Sequence, residues 1–223
     1  MKNFLRENKG FLAFLLLLGV FRGAIADWNP IPSASMHPNL LEGDVVFVNR
    51  IAYDLKLPLT DIALTHLGEP QRGDVVTFFS PKDRTRLIKR VAALPGDRVE
   101  LRGERLIING QPADYDLQGQ ATEHIDALGE LQALRLREHN AHAAYTIQLL
   151  PELDVRRDFG PITVPAGNYL MLGDNRNNSA DSRFIGCVPR ALLIGRAERI
   201  LVSADIQGNW MPRTDRIGKS LRP

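Results

Sequence analysis

A loop with two serines between two prolines is the part of this sequence with the clearest potential for chemistry. Residues 32–38 read Pro-Ser-Ala-Ser-Met-His-Pro. Proline fixes its own φ and restricts the residue before it, so the serines lose little further freedom when they adopt one geometry. A serine hydroxyl is a weak nucleophile until a neighbouring base takes its proton, so Ser35 needs a partner elsewhere in the chain. Proline and serine are equally common in surface turns, and the loop alone leaves both interpretations open.

Residues 85–93 supply a candidate base. They read Thr-Arg-Leu-Ile-Lys-Arg-Val-Ala-Ala, which is typical of a strand. Alternation along a strand places Leu87, Lys89 and Val91 on one face. Apolar neighbours desolvate the amine and lower the pKa of Lys89 from its ordinary value of about 10.4. A neutral amine can take the Ser35 proton and return it to a leaving amine, as a Ser-Lys dyad requires. The competing interpretation is an edge-strand lysine that reaches water and pairs with a carboxylate.

His37 is the other base near the serine. It stands two residues from Ser35, but neighbours on a loop rarely bring their side chains into line. No carboxylate is placed along the sequence to orient its ring, so we expect a neutral surface histidine. The β-lactamase arrangement, with a lysine three residues after the serine on a helix, is excluded because that position is Pro38.

Composition excludes several classes of protein. The chain has 223 residues, of which 44% are hydrophobic, enough for a substantial core. Its 28 Lys and Arg against 26 Asp and Glu give a net charge of +2. A charge this small produces no strong positive potential that would favour nucleic acid as a partner. The single cysteine, Cys187, excludes an internal disulfide. The only close pair of histidines, His139 and His142, has no carboxylates at ligand spacing, so we expect no metal and no other cofactor.

The N-terminal segment is apolar and follows a basic flank. Residues 11–21 are uninterrupted apolar sequence, and Arg22 ends the run. Three basic side chains precede it, Lys2, Arg6 and Lys9. Eleven helical residues span only about 16 Å of a hydrocarbon core of about 30 Å, which favours a signal peptide cut near the small residues at 24–26. The alternative is a transmembrane anchor over 11–28, in which Arg22 reaches outward and Trp28 lies at the interface. In both interpretations the rest of the chain is exported.

Short strands separated by turn signals predict a mainly β body of antiparallel sheets, arranged as a sandwich or barrel. The strands are expected at 45–49, 75–79, 85–93, 98–102, 105–108, 144–149 and 197–202, with a hairpin over 163–171. We divide the chain into a cytoplasmic terminus (1–10), an anchor (11–28), a catalytic β domain (29–113 and 162–205), an inserted region (114–161) and an exposed tail (206–223). Residues 55–69 stay unassigned. Residues 123–137 fit either a helix, from apolar residues three apart, or irregular β structure.

Three blocks of this sequence, in order, resemble bacterial type I signal peptidases. They are the serine loop at 32–38, Lys-Arg-Val at 89–91 leading to Leu-Pro-Gly-Asp at 94–97, and Gly-Asp-Asn-Arg-Asn-Asn-Ser-Ala-Asp-Ser-Arg at 173–183. The resemblance implies that Ser35 is the nucleophile and Lys89 the general base. It implies an oxyanion hole from the Ser35 N–H and the Ser33 hydroxyl, and a Ser179 hydroxyl that orients the lysine. The remaining implied site residues are a supporting ion pair, Asp181 with Arg183, and pocket residues Ile31, Met36, Leu40 and Ile88.

The same resemblance implies a membrane-anchored endopeptidase. Its substrates would be exported precursor proteins, cut after small residues at the −1 and −3 positions of the signal peptide. It implies a single-pass protein in the bacterial plasma membrane, with a cytoplasmic N-terminus and the catalytic domain outside, and we expect a monomer in contact with the lipid bilayer. This favours a retained anchor at residues 11–28, although self-cleavage near residue 26 stays open.

Two other classes of protein fit parts of the pattern. Self-cleaving repressors use a similar Ser-Lys dyad, but they are cytosolic with a DNA-binding N-terminus, which the apolar segment at 11–21 opposes. A secreted β domain whose serine loop binds a partner is the non-enzymatic alternative. That alternative predicts that replacing Lys89 leaves function intact.

Overall fold

The computed structural model describes residues 7–58, 60, 62–125, 128–140 and 143–222. Lys2, Arg6 and His142, which entered the sequence interpretation, lie outside these ranges.

An exposed apolar helix, α1, begins the described chain. It covers Lys9–Ala24, and the N–H of Ile25 donates to Phe21 O at its end. Its apolar side chains face outward, since Phe11 is 61% exposed and Leu17 is 67% exposed. At 1.5 Å per residue the helix is about 24 Å long. Among the described residues, no helix combines the length and the hydrophobicity needed to cross a bilayer.

The helical segment predicted over 11–28 is wrong at its C-terminal end. A strand, β1 (Ala26–Pro30), begins two residues after α1. Ala26 lies opposite Asn49 and Trp28 lies opposite Phe47 in the neighbouring strand. The sheet satisfies the backbone groups of these residues, so they do not continue the helix.

The described residues form sixteen strands and a second short helix. In chain order the strands are β1, then β2 (Asp44–Asn49), β3 (Asp54–Lys56), β4 (Ala63–His66), β5 (Val75–Phe79), β6 (Arg86–Ala93), β7 (Arg98–Arg102), β8 (Arg105–Ile108), β9 (Gln111–Pro112), β10 (Asp114–Ile125), β11 (Gly129–Asn140), β12 (Ala143–Leu149), β13 (Phe159–Thr163), β14 (Asn168–Leu172), β15 (Val188–Pro189) and β16 (Leu193–Ser203). The short helix, α2, covers Ser182–Ile185.

One large antiparallel sheet organises the protein. Its seven strands run in the order β1-β2-β16-β5-β6-β14-β15. Three smaller sheets join β10-β11-β12, β13-β7-β8-β9 and β3-β4. The prediction of a mainly β protein with antiparallel sheets is confirmed. Because β6 lies between β5 and β14, Lys89 is not on an edge strand and the edge-strand interpretation is wrong.

The core under the serine loop comes from alternation along β2. Val46 and Val48 are fully buried, whereas the residues between them are only partly so. They pack in one cluster with Met36 and Leu40, which stand just after the nucleophile candidate. At about 25 cal/mol per Å², burying such side chains contributes roughly 1.5–3 kcal/mol each. The loop is therefore held from below by the sheet that carries Lys89.

The inserted region is β rather than helical. β10 and β11 pair along their whole length, from Asp114 opposite His139 to Ile125 opposite Gly129. Leu128, one of the apolar residues three apart, is 59% exposed at the turn of this hairpin. The spacing therefore does not mark a buried helical face. The stretch is β, as the alternative expected, but its pairing is regular apart from one register shift between Leu117 and Gly119.

The structure differs from the sequence analysis at three further segments, residues 163–171, 55–69 and the C-terminal tail. The hairpin predicted over 163–171 is wrong, because β13 pairs with β7 while β14 pairs with β6 in a different sheet. The unassigned stretch 55–69 contains most of the small β3-β4 sheet. The tail is not exposed throughout, since Leu221 packs in the core cluster under the serine loop and Arg216 pairs with the buried Asp44 at 2.5 Å.

Candidate active site

The serine loop is fixed by its own turn and by a neighbouring strand end. Ala34–Met36 form one turn of 3-10 helix, and the Met36 side chain is fully buried. Asn175, just after β14, donates its backbone N–H to Ser35 O at 3.2 Å and its Nδ2 to Ala34 O at 3.1 Å. These contacts hold the backbone on both sides of the Ser35 side chain.

Lys89 meets this loop from β6. Its Nζ lies 2.6 Å from Ser35 Oγ, and it also donates to Ile88 O at 2.9 Å. Only 3% of the Lys89 residue is exposed. Burial lowers the pKa of Lys89 to about 8, although the Asp181 and Asp174 carboxylates act in the opposite direction. With this pKa, roughly a tenth of the amine is neutral at pH 7, and the neutral amine can accept the hydroxyl proton.

A second hydroxyl stands beside the nucleophile candidate. Ser33 Oγ lies 3.3 Å from Ser35 Oγ, so both face the same small space. A hydroxyl in this place can donate to the negative charge that develops on a carbonyl oxygen when Ser35 attacks the carbon of that carbonyl.

The segment after β14 closes the site from the other side. Asp181 and Arg183 form a two-bond ion pair, with Nη2–Oδ2 at 2.7 Å and Nε–Oδ1 at 2.8 Å, and Asp181 Oδ2 also accepts the Gly173 N–H. Ser179 Oγ is buried, and no hydrogen bond joins it to Lys89 or to another group within the described part of the chain. Gly173 leaves it room, because a Cβ there would stand 2.2 Å from Ser179 Oγ.

A buried ion pair braces the same two segments. The Arg90 guanidinium donates to both Asp174 carboxylate oxygens, Nε at 2.7 Å and Nη2 at 2.6 Å, and to Gly73 O. Arg90 and Asp174 are 3% and 1% exposed. A bidentate pair of this kind fixes direction as well as distance. It holds β6 against the end of β14, one residue from Lys89 and one from Asn175.

Ser35 and Lys89 line an open cleft of about 460 Å³. Its walls come from the serine loop, from β6, from the end of β10 and from residues after β14; they include Pro32, Ser33, Ser35, Leu87, Lys89, His124, Ile125, Asn178 and Ala180. The four residues expected to line pockets, Ile31, Met36, Leu40 and Ile88, are not among the cleft-lining residues. They are 0–6% exposed and lie in the core cluster beneath the loop.

The comparison with protein families matches most of the chain. Residues 5–202 match the family described as signal peptidase, peptidase S26. The chain belongs to the signal peptidase family. Signal peptidase I of Pseudomonas aeruginosa is 34% identical over 95% of this chain and 77% of that protein. Signal peptidase I of Leptolyngbya laminosa is 34% identical over 83% of this chain and 73% of that protein.

A solved structure gives a partial match. The crystal structure of a signal peptidase I from Enterococcus faecalis V583 covers 58% of this chain and 97% of its own, with 30% identity and a TM-score of 0.35. The family and its relatives define this signal peptidase as a hydrolase, a serine endopeptidase.

The structure corrects the expectation for His37 in this signal peptidase. The ring is not a neutral surface group: Nε2 lies 2.7 Å from Glu42 Oε2 and Nδ1 lies 2.5 Å from Glu123 Oε1. Burial disfavours the imidazolium, but the hydrogen bonds and charges of the two carboxylates outweigh it and raise the pKa of His37 to about 9. Glu123 stands 86 positions further along the sequence, so no local pattern could have revealed it.

The sequence analysis also did not predict the contacts of two further side chains near the serine loop. Asn175 and Asp174 lie inside the quoted third block, but nothing in their spacing showed that one holds the serine loop and the other binds Arg90. The available signal was Arg90 itself, which alternation places on the face opposite Lys89. An arginine buried in a central strand requires a carboxylate partner.

Proposed function

We propose that this signal peptidase is a membrane-anchored endopeptidase that removes signal peptides from exported precursors by a Ser-Lys dyad. The observation that carries this proposal is the 2.6 Å separation of Ser35 Oγ from a Lys89 amine that is 3% exposed. Such a lysine loses its proton at a pH well below that of an exposed lysine. The hydroxyl that it contacts is Ser35, on the loop between the two prolines.

The reaction follows from these two groups. Neutral Lys89 takes the proton of Ser35 as Oγ attacks the scissile carbonyl carbon, and the resulting ammonium gives that proton to the leaving amine. The signal peptide stays attached to Ser35 as an ester. Lys89, neutral again, then takes a proton from water, which attacks the ester carbon. As the ester bond breaks, the Lys89 ammonium returns that proton to Ser35 Oγ, which releases the signal peptide and restores both groups.

The Ser33 hydroxyl and the Ser35 N–H are proposed as the oxyanion donors. The 3.3 Å separation of the two hydroxyl oxygens supports the role of Ser33. Donors held in place before the reaction cost no reorganisation when charge develops, and one donor of this type contributes about 3–4 kcal/mol.

Ser179 is proposed to orient the Lys89 amine, with the Asp181–Arg183 pair supporting the segment that carries it. A neutral primary amine has two N–H groups and one lone pair. We propose that in the neutral amine the lone pair accepts from the Ser35 hydroxyl across the 2.6 Å contact, while one N–H donates to Ile88 O at 2.9 Å. The second N–H then needs a further acceptor. The Ser179 hydroxyl is buried and has no hydrogen-bond partner among the described residues, and we propose that it accepts from that N–H.

Specificity for small residues at −1 and −3 is proposed from the cleft next to the dyad. The side chains of Ile31, Met36, Leu40 and Ile88 form the core under this cleft. We propose that this close-packed floor keeps the part of the cleft next to Ser35 shallow, which favours alanine-sized side chains over larger ones. Precursors with signal peptides are the proposed partners, and the enzyme is proposed to act as a monomer.

Anchoring is proposed through α1, with the N-terminus in the cytoplasm and the catalytic domain outside the plasma membrane. The helix exposes apolar side chains along its length. At its end Arg22 contacts the Trp28 ring at 4.2 Å and donates to Asp27. A cation and an indole side by side are typical of a membrane–water interface.

Cleavage of a purified precursor with an Ala-x-Ala site, in detergent, tests the dyad. We expect Ser35→Ala and Lys89→Ala each to fall below about one thousandth of the wild-type rate. The matched control is Lys56→Ala, because Lys56 is equally buried but donates to Leu193 O in another part of the sheet. Wild-type cleavage by Lys89→Ala would refute the dyad and reopen a histidine as the base.

A further inference from the structure

The serine loop and the inserted hairpin are joined at one histidine. His37 stands two residues after Ser35 and lies between Glu42, which follows the loop, and Glu123, near the end of β10. The three side chains are only 9–13% exposed. We call these three residues the carboxylate clamp.

The geometry of the carboxylate clamp requires a charged ring. Each imidazole nitrogen lies within hydrogen-bond distance of a carboxylate oxygen, and a neutral imidazole has only one N–H to donate. With both nitrogens protonated, His37 donates to both partners. Arg213, which acts on Glu42, is a further charge at the clamp. The net charge of the three clamp residues is then −1, and each contact is a charge-assisted hydrogen bond.

Glu123 connects the clamp to the wall of the cleft. Its other carboxylate oxygen accepts from Gln148 Nε2 at 3.1 Å, so Glu123 is held on both sides. The next two residues of β10, His124 and Ile125, line the same cleft as Ser35. The hairpin therefore reaches the reacting groups through the residues directly after Glu123.

We propose that His37 is a positioning residue that fastens the inserted hairpin beside the serine loop, so that His124 and Ile125 form one wall of the peptide-binding cleft. This inference rests on the proposed function, because it assigns the cleft to a peptide substrate. The wall acts on binding more than on chemistry. Ser35 keeps its place without the clamp, since Asn175 and the buried Met36 hold the loop independently.

The test measures KM and kcat separately for the precursor with His37→Ala, Glu123→Ala and the double variant. We expect each single variant to raise KM about tenfold, because each removes the charge-assisted contact between His37 and Glu123, with little change in kcat. The double variant raises KM no further than the larger single effect, because both changes remove the same link. Ile125→Ala, which leaves the clamp intact, raises KM as well.

The matched control is Asp116→Asn, which removes an exposed ion pair with His139 on the same hairpin and should leave KM unchanged. Each variant is assayed well below its melting temperature, so a loss of stability does not imitate a loss of binding. A wild-type KM in folded Glu123→Ala, or in Ile125→Ala, overturns the inference, as does an additive double variant. Cleavage that survives Ser35→Ala refutes the proposed function instead, so the two failures are distinguishable.

Discussion

Gly173 offers the most direct test of how the site is assembled, because it has no room for a side chain. A Cβ at this position would stand 2.5 Å from Ser35 O and 2.5 Å from Ser179 Cβ. Ordinary van der Waals contact begins at 3.4 Å. Gly173→Ala must therefore displace the Ser35 carbonyl, the Ser179 side chain or both by about 1 Å, and a displacement of that size costs about 100-fold in rate.

The expected result is a kcat for precursor cleavage about 100-fold below wild type, equivalent to about 2.7 kcal/mol of barrier. The assay is single-turnover cleavage normalised to folded enzyme. Gly195→Ala is the control, because its Cβ would clash in the same way with the backbone of Asn49 and Arg50. It should lower the melting temperature while preserving kcat per folded molecule. A folded Gly173→Ala enzyme that keeps more than about a third of the wild-type kcat would refute the reasoning.

Three other predictions concern charges. For the pH dependence of kcat/KM, we expect a rising limb near pH 8, because Lys89 must lose its proton before it can act; a limb near pH 10 would contradict its desolvation. Arg90→Met leaves the buried Asp174 carboxylate without its cationic partner and should lower the free energy of unfolding in urea by about 3–5 kcal/mol, whereas a loss below about 1 kcal/mol would contradict this. Arg216→Met should destabilise the protein near pH 7, and the deficit should shrink as pH falls through the lowered pKa of Asp44, because protonated Asp44 no longer gains from Arg216. Urea unfolding at pH 7 and at pH 3 checks this prediction, and an equal deficit at both values would argue against it.

Local sequence predicted the parts of this protein that depend on neighbouring residues. Alternation along residues 85–93 predicted a strand, and it placed Lys89 and Arg90 on opposite faces, where the structure gives them different partners. Turn residues between short apolar runs predicted antiparallel β structure. These inferences succeeded because strand geometry is set within a few residues of each position.

Contacts between distant segments could not be predicted in the same way. Nothing near His37 in the sequence indicates Glu123, and nothing near Asp44 indicates Arg216. The hairpin expected over 163–171 failed for the same reason, because the partners of β13 and β14 lie far upstream in the chain. For these elements the tertiary partner, rather than the local pattern, decides the structure.

The junction between α1 and β1 has a mechanical consequence. Only Ile25 separates the helix from β1, and β1 is hydrogen-bonded to the sheet that carries Lys89. In the anchored enzyme that we propose, the cleft therefore does not swing on a tether. A precursor must therefore bring its scissile bond to one distance from the membrane and one orientation relative to the helix. The sheet geometry sets that distance, because no flexible linker separates the helix from β1. A rotation of the helix about its axis would therefore change the orientation of the cleft relative to the membrane.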